Sequence, residues 1–77
     1  MTNTEKLNQL IEASGLKKSY IAKAIGKTVS TLSRKINNKQ DFTATEIDAL
    51  CDLLGIEDLE EKENIFFALE VAETATY

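Results

Sequence analysis

Three glycines, at positions 15, 26 and 55, and no proline divide this chain. Between those points nothing forbids a helix. Apolar residues recur there at helical spacing. Leu7, Leu10 and Ile11 fall at i, i+3, i+4 and predict a first helix ended by Gly15. Thr2, with Glu5 three residues on, suits a capping box at its start. Ile21, Ala22 and Ile25 form the inner side of a second, two-turn helix closed by Gly26. Thr28 can N-cap a third helix from about Val29 to Asn37, ending where Asn37-Asn38 tolerates a left-handed residue. Thr43 and Glu46 form another capping box, opening a fourth helix with Ile47, Leu50, Cys51 and Leu54 inward and Gly55 as its stop. Asp58 can cap a fifth helix carrying Leu59, Ile65, Phe66 and Leu69. The expectation is an all-α, five-helix bundle over residues 1–71, with 72–77 as a frayed tail.

The composition closes off several kinds of chemistry. One cysteine and no histidine leave no internal disulfide and no His/Cys zinc site. Cys51 shares the inner face of the fourth helix and reads as a buried structural thiol. Neither a Gly-rich phosphate loop nor converging carboxylates are present, so the chain reads as a non-enzyme without cofactor or metal. No apolar run approaches the roughly 20 residues that span a bilayer. The first residues lack the charge and apolar pattern of a signal peptide. A reducing cytosol is the expected compartment.

Charge is segregated along the chain. Residues 1–14, 15–40 and 41–77 carry −1, +7 and −10, which make up the net −4. The middle third holds Lys17, Lys18, Lys23, Lys27, Arg34, Lys35 and Lys39 and no acid. A polyanion would meet this local patch, because salt screens charges farther off than about 8–10 Å.

The basic third also contains two short helices joined at Gly26, a helix-turn-helix arrangement. Ala22 lets the helices cross closely, and Gly26 takes a positive φ without a Cβ penalty. Ile21, Ile25 and Leu32 pack the crossing. On a wheel of the third helix, Leu32 and Ile36 define the buried direction and Arg34 lies opposite. Ser30, Thr31 and Asn37 flank Arg34, and Ser33 lies towards one edge. A face of hydroxyls, an amide and one guanidinium suits close approach to another surface. The major groove of B-DNA admits such a helix, and arginine can bond guanine O6 and N7 together. The N–H groups of Val29 and Ser30 at the helix start favour a phosphate. Lys17, Lys18, Lys27, Lys35 and Lys39 flank the face and are expected on the DNA backbone.

The run LKKSYIAKAIGKTVSTLSRKINNK resembles the helix-turn-helix of the phage-repressor family, the lambda cI/Cro-like or XRE-type domains. Ile21-Ala22, Gly26, Thr28, Ser30-Thr31-Leu32-Ser33-Arg34 and Asn37 carry the match in register. FTATEIDALCDLLGI resembles the family's fourth helix, and IFFA the ending of short repressors from phages of Gram-positive bacteria. The resemblance spans about residues 5 to 69. It implies a sequence-specific double-stranded DNA-binding regulator, with Val29, Ser30, Ser33 and Arg34 on bases. Lys17, Lys18, Lys27, Thr28, Thr31, Lys35, Asn37 and Lys39 would touch the backbone. Lys18 and Val29 stand where the family often has Gln, so Val29 would meet a thymine methyl instead of reading adenine. Asn38 stands where Gly is usual, a change expected to be mild. Lys35-Ile36 places the late apolar residue one position later than in some members.

One such domain buries little surface, so a homodimer on an inverted repeat is expected, with half-sites about one helical turn apart. Phe67 and Val71 are the candidate dimer contacts; the other reading of Ile65–Val71 is a strand or irregular tail over the core. The acidic residues 57–63 would keep that end away from DNA. Two alternatives stay open: an antitoxin whose tail binds a toxin, and a protein-binding adaptor or anti-repressor without DNA affinity. Either would bring in a regulatory protein partner.

Overall fold

The computed structural model describes residues 1–67. Five helices follow one another: α1 Thr4–Ser14, α2 Lys18–Ala24, α3 Val29–Ile36, α4 Ala44–Leu54 and α5 Leu59–Phe66. Among the described residues there is no strand, and no helix is long and apolar enough to cross a membrane. The all-α expectation therefore holds. Leu69, Val71 and residues 72–77 lie outside the described residues.

Most of the expected caps form. Thr28 Oγ1 accepts from the Thr31 N–H, and Thr43 and Glu46 make the full reciprocal box. Asp58 accepts from the Glu60 N–H. The exception is α1. Its cap is Asn3, which accepts from the Lys6 N–H, not Thr2 with Glu5. Asn caps as well as Thr does, and the later start releases Thr2 for another task. Thr2 is buried, and its backbone N–H and C=O pair with the Asn38 side chain at 2.7 and 2.8 Å. The Asn3 N–H also donates to the Ile65 carbonyl at 2.6 Å. The segment before α1 is thus stitched to the end of α3 and to α5.

The helix ends use one device repeatedly. At Gly26 (φ 76°) the Lys27 N–H reaches back to the Ala22 carbonyl and the Gly26 N–H to that of Lys23. This double bond is the Schellman ending. A Cβ at Gly26 would meet nothing within 4 Å, so it is the positive φ and not crowding that calls for glycine. Asn38 (φ 65°) repeats the pattern after α3: Lys39 N–H to the Arg34 carbonyl, Asn38 N–H to that of Lys35. Helix α3 therefore ends one residue earlier than expected.

The core is a single cluster drawn from all five helices. Leu7, Ile21, Leu32, Ile36, Leu50 and Ile65 are its fully buried large side chains. Burying side chains of this size stabilises by about 1.5–3 kcal/mol each. Cys51 lies in the cluster as a free thiol. Phe66 closes one edge against Phe42, ring centroids 5.7 Å apart and nearly perpendicular. Leu59, at the start of α5, is exposed. It lies two turns before Phe66, about 10 Å along the axis.

Candidate nucleic-acid interface

Among the described residues, α2 and α3 form the most closely associated helix pair. Their crossing is built from Ile21, Ala22 and Leu32, all buried, with Ile25 partly covered. With only a methyl group at Ala22, the backbones approach each other. The crossing fixes the direction in which α3 presents its outer face.

That face carries the residues expected on DNA. Val29 is 42% exposed, and Ser30 and Arg34 are exposed beside it. Ser33 and Thr31 are partly covered. The Arg34 guanidinium folds back along its own helix: Nη1 donates to Ser30 Oγ and Nη2 to Thr31 Oγ1, both at 3.2 Å. Two of its five N–H donors are used this way. Ser30 and Thr31 thus hold a flexible side chain in one place while leaving donors free. Thr31 Oγ1 is also 3.1 Å from Thr28 Oγ1, so the cap and the arginine share one hydroxyl network. The exposed Asn37 amide donates to the Ser33 carbonyl, one turn back along the helix, at 2.9 Å. Lys17, Lys18, Lys27 and Lys39 are exposed: Lys17 and Lys18 begin α2, Lys27 lies in the turn, and Lys39 follows α3.

Lys35 departs from its expected place. Its residue surface is only 7% exposed, and Nζ donates to Glu46 Oε1 at 2.7 Å. It is an interior cation and not a flanking one. The wheel alone does not decide this, since Lys35 and Ser33 both lie about 80° from the buried direction, on opposite sides. The N-terminus of α4 breaks the tie by placing Glu46 beside Lys35.

Glu46 was legible as a capping residue but not as an interior anion. Oε1 accepts from Lys35 Nζ and from the Thr43 N–H at 2.9 Å. Oε2 is buried, has no hydrogen-bond partner among the described residues, and lies 3.7 Å from Lys27 Nζ. Burial pushes this carboxyl up. The Lys35 and Thr43 hydrogen bonds and the charges of Lys35 and Lys27 outweigh it, so Glu46 sits below the ordinary carboxylate range. The available signal was periodicity: Glu46 precedes Leu50 by four, so both share one side of α4. Buried Glu opposite buried Lys is then the consistent pairing.

Among the described residues no three metal-ligating side chains converge. Burial raises the Cys51 thiol above its ordinary value, offset only in part by Lys62, which makes it a poor nucleophile.

No curated protein and no solved structure matches this chain. Residues 6–61 match the Cro/C1-type HTH DNA-binding domain, a span running from α1 into α5 and centred on the α2–turn–α3 unit. With the match covering well over half the sequence, the chain belongs to the Cro/C1-type helix-turn-helix family of DNA-binding domains.

Proposed function

We propose that the chain is a transcriptional repressor of the phage or prophage kind, Cro-like or a short repressor, acting by operator occupancy. The observation that carries this reading is the outer face of α3, where a guanidinium held by two hydroxyls lies among small exposed side chains. Arg34 and Ser30, with Val29 and Ser33, are assigned to base edges. Lys17, Lys18, Lys27, Thr28, Thr31, Asn37 and Lys39 are assigned to the backbone, and Lys35 is withdrawn from that set because it is buried.

The reading includes a homodimer on an inverted repeat. Its support is Phe67, 52% exposed at the end of α5. Phe67 borders a cavity of about 280 Å³ shared with Met1, Phe42 and Phe66. Met1, 65% exposed, lines the same cavity, so the two side chains together form an apolar patch that a second copy could cover. Phe67→Asp is expected to shift the sedimentation profile towards monomer; an unchanged profile moves the dimer surface elsewhere.

The test of the whole reading is selection from a random duplex library, followed by anisotropy titration of the winner at two salt concentrations. Enrichment of an inverted repeat, with a log–log salt slope of about −0.9 per neutralised phosphate, is the expected result. No enrichment and no salt-dependent binding would overturn it in favour of a protein-binding adaptor.

A further inference from the structure

We propose that Glu46 tunes DNA affinity through Lys27, competing with DNA phosphate for that lysine's ammonium group. The inference rests on the α2–turn–α3 unit binding DNA.

The geometry is asymmetric. One carboxylate faces two lysines and treats them differently. Lys35 is fixed: its side chain is 9% exposed and its Nζ lies 2.7 Å from Oε1. Lys27 is loose: its side chain is 43% exposed and its Nζ stops 3.7 Å from Oε2. That distance allows attraction but is too long for a hydrogen bond. Meanwhile Oε2 is buried with no donor among the described residues. Lys27 is also the turn residue whose backbone N–H anchors the α2 ending on Ala22, so it stands immediately before the cap of α3.

Phosphate offers Lys27 a charge-assisted hydrogen bond near 2.8 Å, which is better than what Glu46 gives it. Lys27 can therefore change partners while Glu46 keeps Lys35 and the Thr43 N–H. The exchange is opposed by the field of a carboxylate a few ångströms beneath the incoming phosphate. This penalty falls on every sequence alike. Glu46 thus lowers affinity for every duplex by the same factor, and the effect travels through Lys27.

The test is a double-mutant cycle on the full chain with Lys27→Gln and Glu46→Gln. Glutamine keeps the length of Glu46 and an oxygen for the Thr43 N–H while removing the charge. Affinity is read by anisotropy on a selected duplex and on a random duplex of equal length, across a salt series, at temperatures where circular dichroism shows every variant folded. Glu46→Gln is expected to strengthen binding to both duplexes about three- to tenfold and steepen the salt dependence, leaving the specific-to-random ratio unchanged. The Lys27→Gln loss should be larger in the Glu46→Gln background than in wild type. A merely structural role for Glu46 would weaken binding to both duplexes, so a gain on random DNA separates the two roles. If Glu46→Gln does not fold, Glu46→Gln with Lys35→Met neutralises the buried pair and carries the same Lys27 comparison. A Lys27→Gln loss of equal size in both backgrounds overturns the inference while leaving DNA binding intact. A wild-type chain that binds neither duplex overturns both.

Discussion

The two ends of α3 are built on opposite plans. At its N-terminal end the bonds are local and exposed: Thr28 to Thr31, and Arg34 to Ser30 and Thr31. At its C-terminal end they are long-range: Lys35 to Glu46, Asn38 to Thr2, and the Thr4 hydroxyl to the Ile36 carbonyl at 2.5 Å. One end holds its own side chains in readiness and touches little else. The other is bolted to α4 and to the segment before α1. A helix that must read another molecule's surface needs both, since a reading face without a fixed axis has no defined direction. Substitutions at the bolted end should therefore disturb the fold, and those at the open end should disturb recognition alone.

The largest effect on stability is expected from Lys35→Ala. Glu46 would keep only the loose Lys27 and the Thr43 N–H, and breaking a buried pair costs about 3–5 kcal/mol. Because Lys27 remains nearby, we expect the lower part of that range, measured by urea unfolding. A loss below about 0.5 kcal/mol, the scale of ordinary surface substitutions, would mean that the pair is hydrated and that the bolted end is not held there. The same pair sets an acid limb. The Glu46 carboxyl is lower in the folded chain than its ordinary value of 4.5. Its contribution is therefore present above that value and lost as pH falls through the folded one. Unfolding free energy should drop on acidification below about pH 4.5 in wild type, and more shallowly in Glu46→Gln. Equal slopes would contradict the assignment.

Asn38 comes next, and two substitutions separate its two roles. Asn38→Gly keeps the positive φ but loses the pair of bonds to Thr2, about 1 kcal/mol net for each. Asn38→Ala loses the bonds and adds a left-handed Cβ penalty, another 1 kcal/mol or so. If glycine proved neutral or stabilising in thermal melts, the stitch to Thr2 would contribute nothing, and Asn38 would stand there for its backbone alone.

The same contrast marks what the sequence made legible. Thr28, Thr43 with Glu46, Asp58 and the three glycines were readable because each cap or stop is decided within four residues. Leu32 and Ile36 were readable because periodicity locates the buried direction. The Lys35–Glu46 and Asn38–Thr2 pairings join residues 11 and 36 positions apart, and local pattern is silent at that range. Lys35 was placed on the wrong side because the wheel left it level with Ser33. Thr2 was read as a cap because Asn3, one residue on, competes for the same position with equal chemistry. On the open face, Ser30 and Arg34 were legible as exposed from the wheel and Val29 only from the family resemblance, while the hydroxyl clasp on Arg34 depends on rotamers and not on spacing.

The smallest effect on the fold, and the sharpest on recognition, is expected from Arg34→Ala. Its bonds to Ser30 and Thr31 are exposed and local, so unfolding free energy should move by less than about 0.5 kcal/mol. Discrimination between the selected duplex and one changed at a single base pair should fall by about 1–3 kcal/mol. A phosphate contact would weaken both duplexes equally and flatten the salt slope by about one unit, leaving their ratio unchanged. Ser30→Ala refines the comparison. It removes half of the clasp while leaving the guanidinium, so a smaller loss of discrimination at the same base pair would show that the hydroxyl aims the arginine. A loss at a different base pair would mean that Ser30 reads DNA itself, and the open end would then hold two separate readers in place of one reader and its support.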